Sequence, residues 1–119
     1  MAEIIPATAQ MVRLLHSEPL PRTIRAIAAV EGDELIGITG FYPENGHLVL
    51  FGDMAPAARA EVCRHKRTMI RCAWKVMGMA MKYRMPIAAI ADPKIPGSDN
   101  LLLHFGFAKN ERGIYQWLG

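Results

Sequence analysis

The densest chemistry in this chain is a run of cations. Between Val62 and Ala91 there is no aspartate or glutamate, while Arg64, Lys66, Arg67, Arg71, Lys75, Lys82 and Arg84 all fall there, with His65 beside them. So many positive charges in one stretch make a local field that draws anions: phosphates, nucleic acid or acidic protein surfaces. Thiols and imidazoles are sparse by comparison. Cys63 and Cys72 cannot build a disulfide framework or a four-ligand zinc site, and they do not form a Cys-x-x-Cys pair. His16, His47, His65 and His104 show no ligand spacing, so no metal is expected. Both thiols are expected to be free and packed as small hydrophobes.

One domain must carry these groups. A chain of 119 residues is close to the commonest domain size and too short for two full cores. With 51% hydrophobic and 21% charged residues it is not a disordered chain. No apolar run approaches the ~18 residues of a membrane span. The opening Met1-Ala-Glu-Ile-Ile-Pro6 has neither a basic n-region nor an apolar h-region, so an unsecreted, cytoplasmic protein with reduced thiols is expected.

The pattern along the chain supplies the positioning elements. Ile4-Ile5 opens a short strand, Thr8 can cap a short helix over Ala9 to His16, and Pro19 and Pro21 end it. Strand-like runs follow at Ile24 to Val30, Leu35 to Tyr42 and His47 to Met54. Gly32-Asp33 and Asn45-Gly46 are hairpin turn chemistry, so these runs predict an antiparallel meander. From Pro56 the period changes to that of a helix. Val62, Met69, Ala73, Val76, Ala80 and Tyr83 form one apolar row, with Ile70, Trp74, Met77 and Met81 beside it. Arg67, Arg71, Lys75 and Lys82 share the opposite face. This long amphipathic helix starts at Pro56 or breaks near Cys63 into a short and a long piece, and it puts Trp74 on the buried side. Gly78 is expected to mark a close backbone contact. Pro86 to Ala91 suits a central strand, Leu101 to Phe105 a short helix closed by Gly106, and Phe107 onward with Ile114 to Leu118 a final hairpin. The fold class is therefore α/β, with a mixed sheet of six to seven strands, one long helix and two short ones.

This order resembles the GNAT family of acyl-CoA-dependent N-acetyltransferases. The opening Ile4-Ile5-Pro6-Ala7-Thr8 looks like the family's first strand and its exit. Ala28 to Ile38, with Gly37, looks like the hairpin between its second and third strands, and Leu103-His-Phe-Gly-Phe107 followed by Tyr115 looks like its Gly-Phe ending. The resemblance implies acetyl-CoA as cofactor, in a wedge between the fourth and fifth strands. The diphosphate would lie on amides opening the long helix, where helix N-termini favour anions. The matching residues are Phe51, Gly52, Asp53 and Met54 at the strand end, and Arg64, His65, Lys66, Arg67, Thr68 and Met69 at the helix. Arg67 and Met69 stand where the family has small residues. The family's general base belongs on or near the third and fourth strands, for which Glu44, His47, Asp53 and Asp92 are candidates. Leu102 replaces the tyrosine that often protonates the leaving thiolate, leaving Tyr115 as a weak substitute. Only one short helix fits between Ile5 and Ile24, where the family has two, so the acceptor side is open or completed by another protein.

Three functions are consistent with these residues. The first is an N-acetyltransferase acting on an amine, with a protein acceptor fitting the open side. The second is a GNAT-like domain working as a structural or interaction module. The segment Phe51 to Tyr83 is similar to GNAT-like internal virion proteins of T7-like phages, which would place the chain in the virion or the infected cell. The third is phosphate-backbone binding of nucleic acid through Arg64, Arg67, Arg71 and Lys75. A buried Trp74 and the lack of a stacking platform rank it last. The eight methionines read as core plasticity reaching toward a partner surface, a homodimer among the options. No membrane contact is expected.

Overall fold

The computed structural model describes residues 2–16, 24–89 and 98–117. A seven-stranded mixed sheet carries helices on both faces. Its elements, in chain order, are β1 (Glu3–Pro6), α1 (Ala9–Leu15), β2 (Arg25–Glu31), β3 (Glu34–Glu44), β4 (His47–Met54), α2 (Pro56–Arg59), α3 (Val62–Met81), β5 (Ile87–Ala89), α4 (Ser98–His104), β6 (Ala108–Lys109) and β7 (Tyr115–Trp117). The strands lie in the order β1-β2-β3-β4-β5-β7-β6. Every neighbouring pair is antiparallel except β4 and β5, which run parallel with Leu48 opposite Ile87 and Leu50 opposite Ala89.

The meander forms as the sequence predicts. Asn45 and Gly46 both adopt positive φ (48° and 82°), the geometry that lets a two-residue turn follow the twist of its strands. Within the meander, β2 and β3 approach so closely at Gly40 that an added Cβ would lie 2.3 Å from the Arg25 carbonyl oxygen. Only glycine fits there. Between β2 and β3 the register shifts at Ala29/Val30, with Ile36 as the extra residue of β3. This bulge turns Ile36 into the core beneath α3 while Ile38 faces α1.

The helical stretch departs from expectation in four ways. It breaks near Cys63, the second of the two expected alternatives: α2 ends at Arg59, Ala60 and Glu61 make a turn, and α3 starts at Val62, which gives three short helices among the described residues where two are expected. Cys63 is exposed and only Cys72 is buried, where loss of hydration pushes its thiol pKa up. The buried arc of α3 is also narrower than its apolar rows suggest. Cys72, Ala73, Val76, Met77 and Ala80 face the sheet, while Trp74, Met81 and Tyr83 are exposed. A helix lying on a sheet covers one stripe, and apolar residues flanking that stripe find no second layer. Gly78 lies on the outward face with nothing near enough to meet a side chain, which overturns the close-contact reading.

The closing half follows from local chemistry. Gly106, at φ +93°, ends α4 with the Phe107 amide donating to the Leu102 carbonyl and the Gly106 amide to that of Leu103, a Schellman closure. Asn110 organises the last turn, its side-chain oxygen accepting from the Arg112 and Ile114 amides.

Candidate functional site

The residues expected to hold a diphosphate lie inside α3, not in a loop before it. The Arg64 and His65 amides donate to the Glu61 carbonyl, and from Lys66 onward an α-helix commits its amides internally. The Arg64 guanidinium is closed off as well, donating to Glu31 at 2.7 Å and Glu61 at 3.0 Å. The Glu61 hydrogen bond, then the charge of Glu31, raise its pKa further. His65, a cofactor-binding candidate, is buried. Met69 reaches toward β3: its Cε and Sδ lie 3.0 and 3.1 Å from where a Cβ on Gly37 would sit. Thr68 is half-buried, and Lys66 and Arg67 alone of this segment point freely into solvent. These residues do not fit a backbone cradle for a diphosphate.

The proton-transfer candidates do not converge either. Glu44 and His47 pair across the β3–β4 turn, where His47 Nδ1 lies 3.3 Å from the Asn45 carbonyl oxygen. Asp53 is six residues further along β4, about 20 Å away at strand rise. Tyr115 is buried on β7 with Lys109 Nζ over its ring at 5.8 Å, and Leu102 is a core residue. Asp92 lies outside the described residues.

Asp53 nevertheless has a partner that sequence reasoning missed. His16 Nδ1 approaches Asp53 Oδ2 at 2.7 Å, with both side chains 19% exposed. Thr8 starts α1 by accepting the Met11 amide, and His16 ends it, its own amide donating to the Val12 carbonyl at 2.8 Å. The imidazole packs on Phe51 with ring centroids 5.2 Å apart, and Phe51 in turn meets Tyr42. An ionised Asp53 can only accept, so Nδ1–H donates and Nε2 of a neutral ring is left as a proton acceptor. Thirty-seven residues separate the two, so no local spacing signals the pair.

The outward face of α3 is the other concentration of function-bearing groups. Arg67, Arg71, Lys75 and Lys82 are exposed along it, and among the described residues none takes part in an ion pair. Trp74, expected in the core, stands beside them at 54% exposure, its ring set edge-to-face against Phe105, the residue after α4, at 4.5 Å. Lys82 also lines a shallow groove of about 340 Å³ with Arg25, Phe41, Met79 and Tyr83. Among the described residues no three of His, Cys, Asp and Glu gather to hold a metal, and no helix is long and apolar enough to cross a membrane.

Comparison with known proteins gives no match: no protein family, curated protein or solved structure aligns significantly with this chain.

Proposed function

We propose that this chain keeps a GNAT-like architecture but works as an interaction module, holding an anionic partner on the outward face of α3. The sheet order, with β4–β5 as its one parallel pair and β7 between β5 and β6, supports the architectural part. One observation carries the functional part. The cation at the head of α3, Arg64, is neutralised by Glu31 and Glu61, whereas Arg67, Arg71, Lys75 and Lys82 stand unpaired among the described residues. The attraction for anions thus lies along the helix flank and not at its start, where acyl-CoA would need it. Fold alone assigns no activity, so the placement of charge decides.

Calorimetric titration with acetyl-CoA and with CoA at low salt tests this. No heat and no rise in Tm at about 1 mM ligand are expected, since a ligand that binds the folded state must stabilise it by mass action. Micromolar binding that disappears when Lys66 and Arg67 are both changed to Ala would overturn the reading.

The His16–Asp53 pair favours a second reading, acyl transfer to an amine. In that case the chain supplies an oriented imidazole that takes the amine proton at Nε2 while Asp53 holds the ring. Turnover abolished by His16→Gln and by Asp53→Asn, with unchanged Tm, is the outcome that would establish it.

A further inference from the structure

A solvated row of lysines and arginines needs no partner, but an exposed tryptophan alongside its middle is harder to explain that way. Trp74 belongs to the largest apolar side-chain type, and over half of it faces water on a helix whose other face buries alanines and a cysteine. Its ring has one aromatic neighbour, Phe105, set edge-to-face at 4.5 Å, and Phe105 is itself a buried member of the main core. At 100° per residue, Arg67, Arg71, Lys75 and Lys82 make a cationic strip along the helix, and Trp74 and Met81 an apolar strip directly beside it. Gly78 lies on this same face, at its middle, and leaves the backbone open where any other residue would raise a side chain.

We infer that this face binds single-stranded nucleic acid, with phosphates on the cationic strip and an unpaired base stacked on Trp74. The inference names the anionic partner of the interaction reading, and is tested separately from it. Phosphates need only positive charge, so the cations supply affinity without sequence preference. A base offers a π-face that a rigid indole can stack on, and a duplex hides those faces. That is why a single strand suits this surface better than a double helix. From Arg67 to Lys82 the strip runs about 22 Å at helical rise, room for a handful of nucleotides. An acidic protein segment would satisfy the charges equally well, but it would leave a half-exposed indole without a specific task.

The test uses the full chain carrying Trp117→Phe, so that Trp74 is the sole tryptophan, titrated with an oligo-dT or oligo-U of about 15 nucleotides. Binding is followed by Trp74 emission and by anisotropy of the labelled oligonucleotide between about 50 and 300 mM salt. Quenching on binding is expected, and Trp74→Ala should weaken affinity about 5- to 150-fold while Trp74→Phe keeps part of it. Changing Arg71 and Lys75 together to Ala should flatten the log K against log salt slope by about 1.4. Gly78→Asp places a carboxylate mid-face without touching the core and should abolish binding, whereas Gly78→Ala should not, so a poorly folding Trp74 variant leaves the question decidable. Four results would overturn the inference: no binding at low salt, equal affinity for a blunt duplex, affinity indifferent to Trp74→Ala, or Trp74 quenched by an acidic peptide but not by the oligonucleotide. Acetyl-CoA binding would overturn the interaction reading alone and leave oligonucleotide binding to be judged on these results.

Discussion

The two faces of the sheet differ in thickness. Beneath α3 and α4 lies a continuous core running from Ile27 and Ile36 on one side to Tyr115 on the other, with Ile36, Leu48, Val76 and Ile87 almost completely sealed. On the opposite face α1 covers a small cluster in which only Val12, Ala28, Ile38 and Phe51 are buried. The thick side holds most of the buried apolar residues. The thin side leaves Asp53 and His16 partly wet, and an ionisable pair remains usable only where water and a reactant can reach it. The main core and the His16–Asp53 pair thus lie on opposite surfaces of one sheet. The flank of α3 adds a third zone, facing neither layer, where charge and an aromatic ring are free to meet a partner.

Substitutions separate these zones by size of effect. Gly40→Val, which drives side-chain atoms into the Arg25 carbonyl, should cost more than about 4 kcal/mol and abolish a cooperative urea transition. Ile36→Ala in the thick core should lower unfolding free energy by about 2–5 kcal/mol, with residual cavity adding to lost burial. Val12→Ala on the thin face should cost only about 1–2 kcal/mol, because α1 can settle onto the sheet and less surface is forfeited. Equal losses for the last two, measured in parallel urea titrations, would mean that the two layers are not energetically distinct. Smallest and of opposite sign, Gly78→Ala should raise stability by about 0.5–1 kcal/mol, since that helical position has open space and glycine's backbone entropy to lose.

The sequence made the meander and the long helix legible, and for physical reasons. Alternating apolar residues with Asn45-Gly46 between them leave little choice but a hairpin, and a 3.6-residue period over twenty residues leaves little but a helix. Which apolar residues of α3 would be buried was not legible. Periodicity gives the centre of the apolar arc, but its width depends on how far the sheet and α4 extend beneath it, so Trp74 and Met81 were placed on the wrong side. The extra residue at Ile36 is not legible either, because a bulge leaves no trace in an otherwise apolar strand. Nor could chain order show that the last hairpin attaches through β7 rather than β6. Asp53 stood out as a carboxylate at a strand end, yet its histidine is contributed from the far side of the meander, and only the assembled sheet brings the two together. Arg64 illustrates the reverse case. Its side chain matched a motif, and the carboxylates that occupy it come from β2 and from the turn before α3.

The two outermost strands carry a further implication. β1 has four residues and ends in Pro6, and β6 has two and ends in Lys109. Neither border offers a run of free amides and carbonyls long enough to recruit another chain, and proline and lysine are residues that discourage such growth. Seven strands therefore do not seed a longer ribbon, and the protein should resist fibrillar assembly even when concentrated. Association of copies through side-chain contacts is left open by these edges, while growth by strand addition at them is disfavoured.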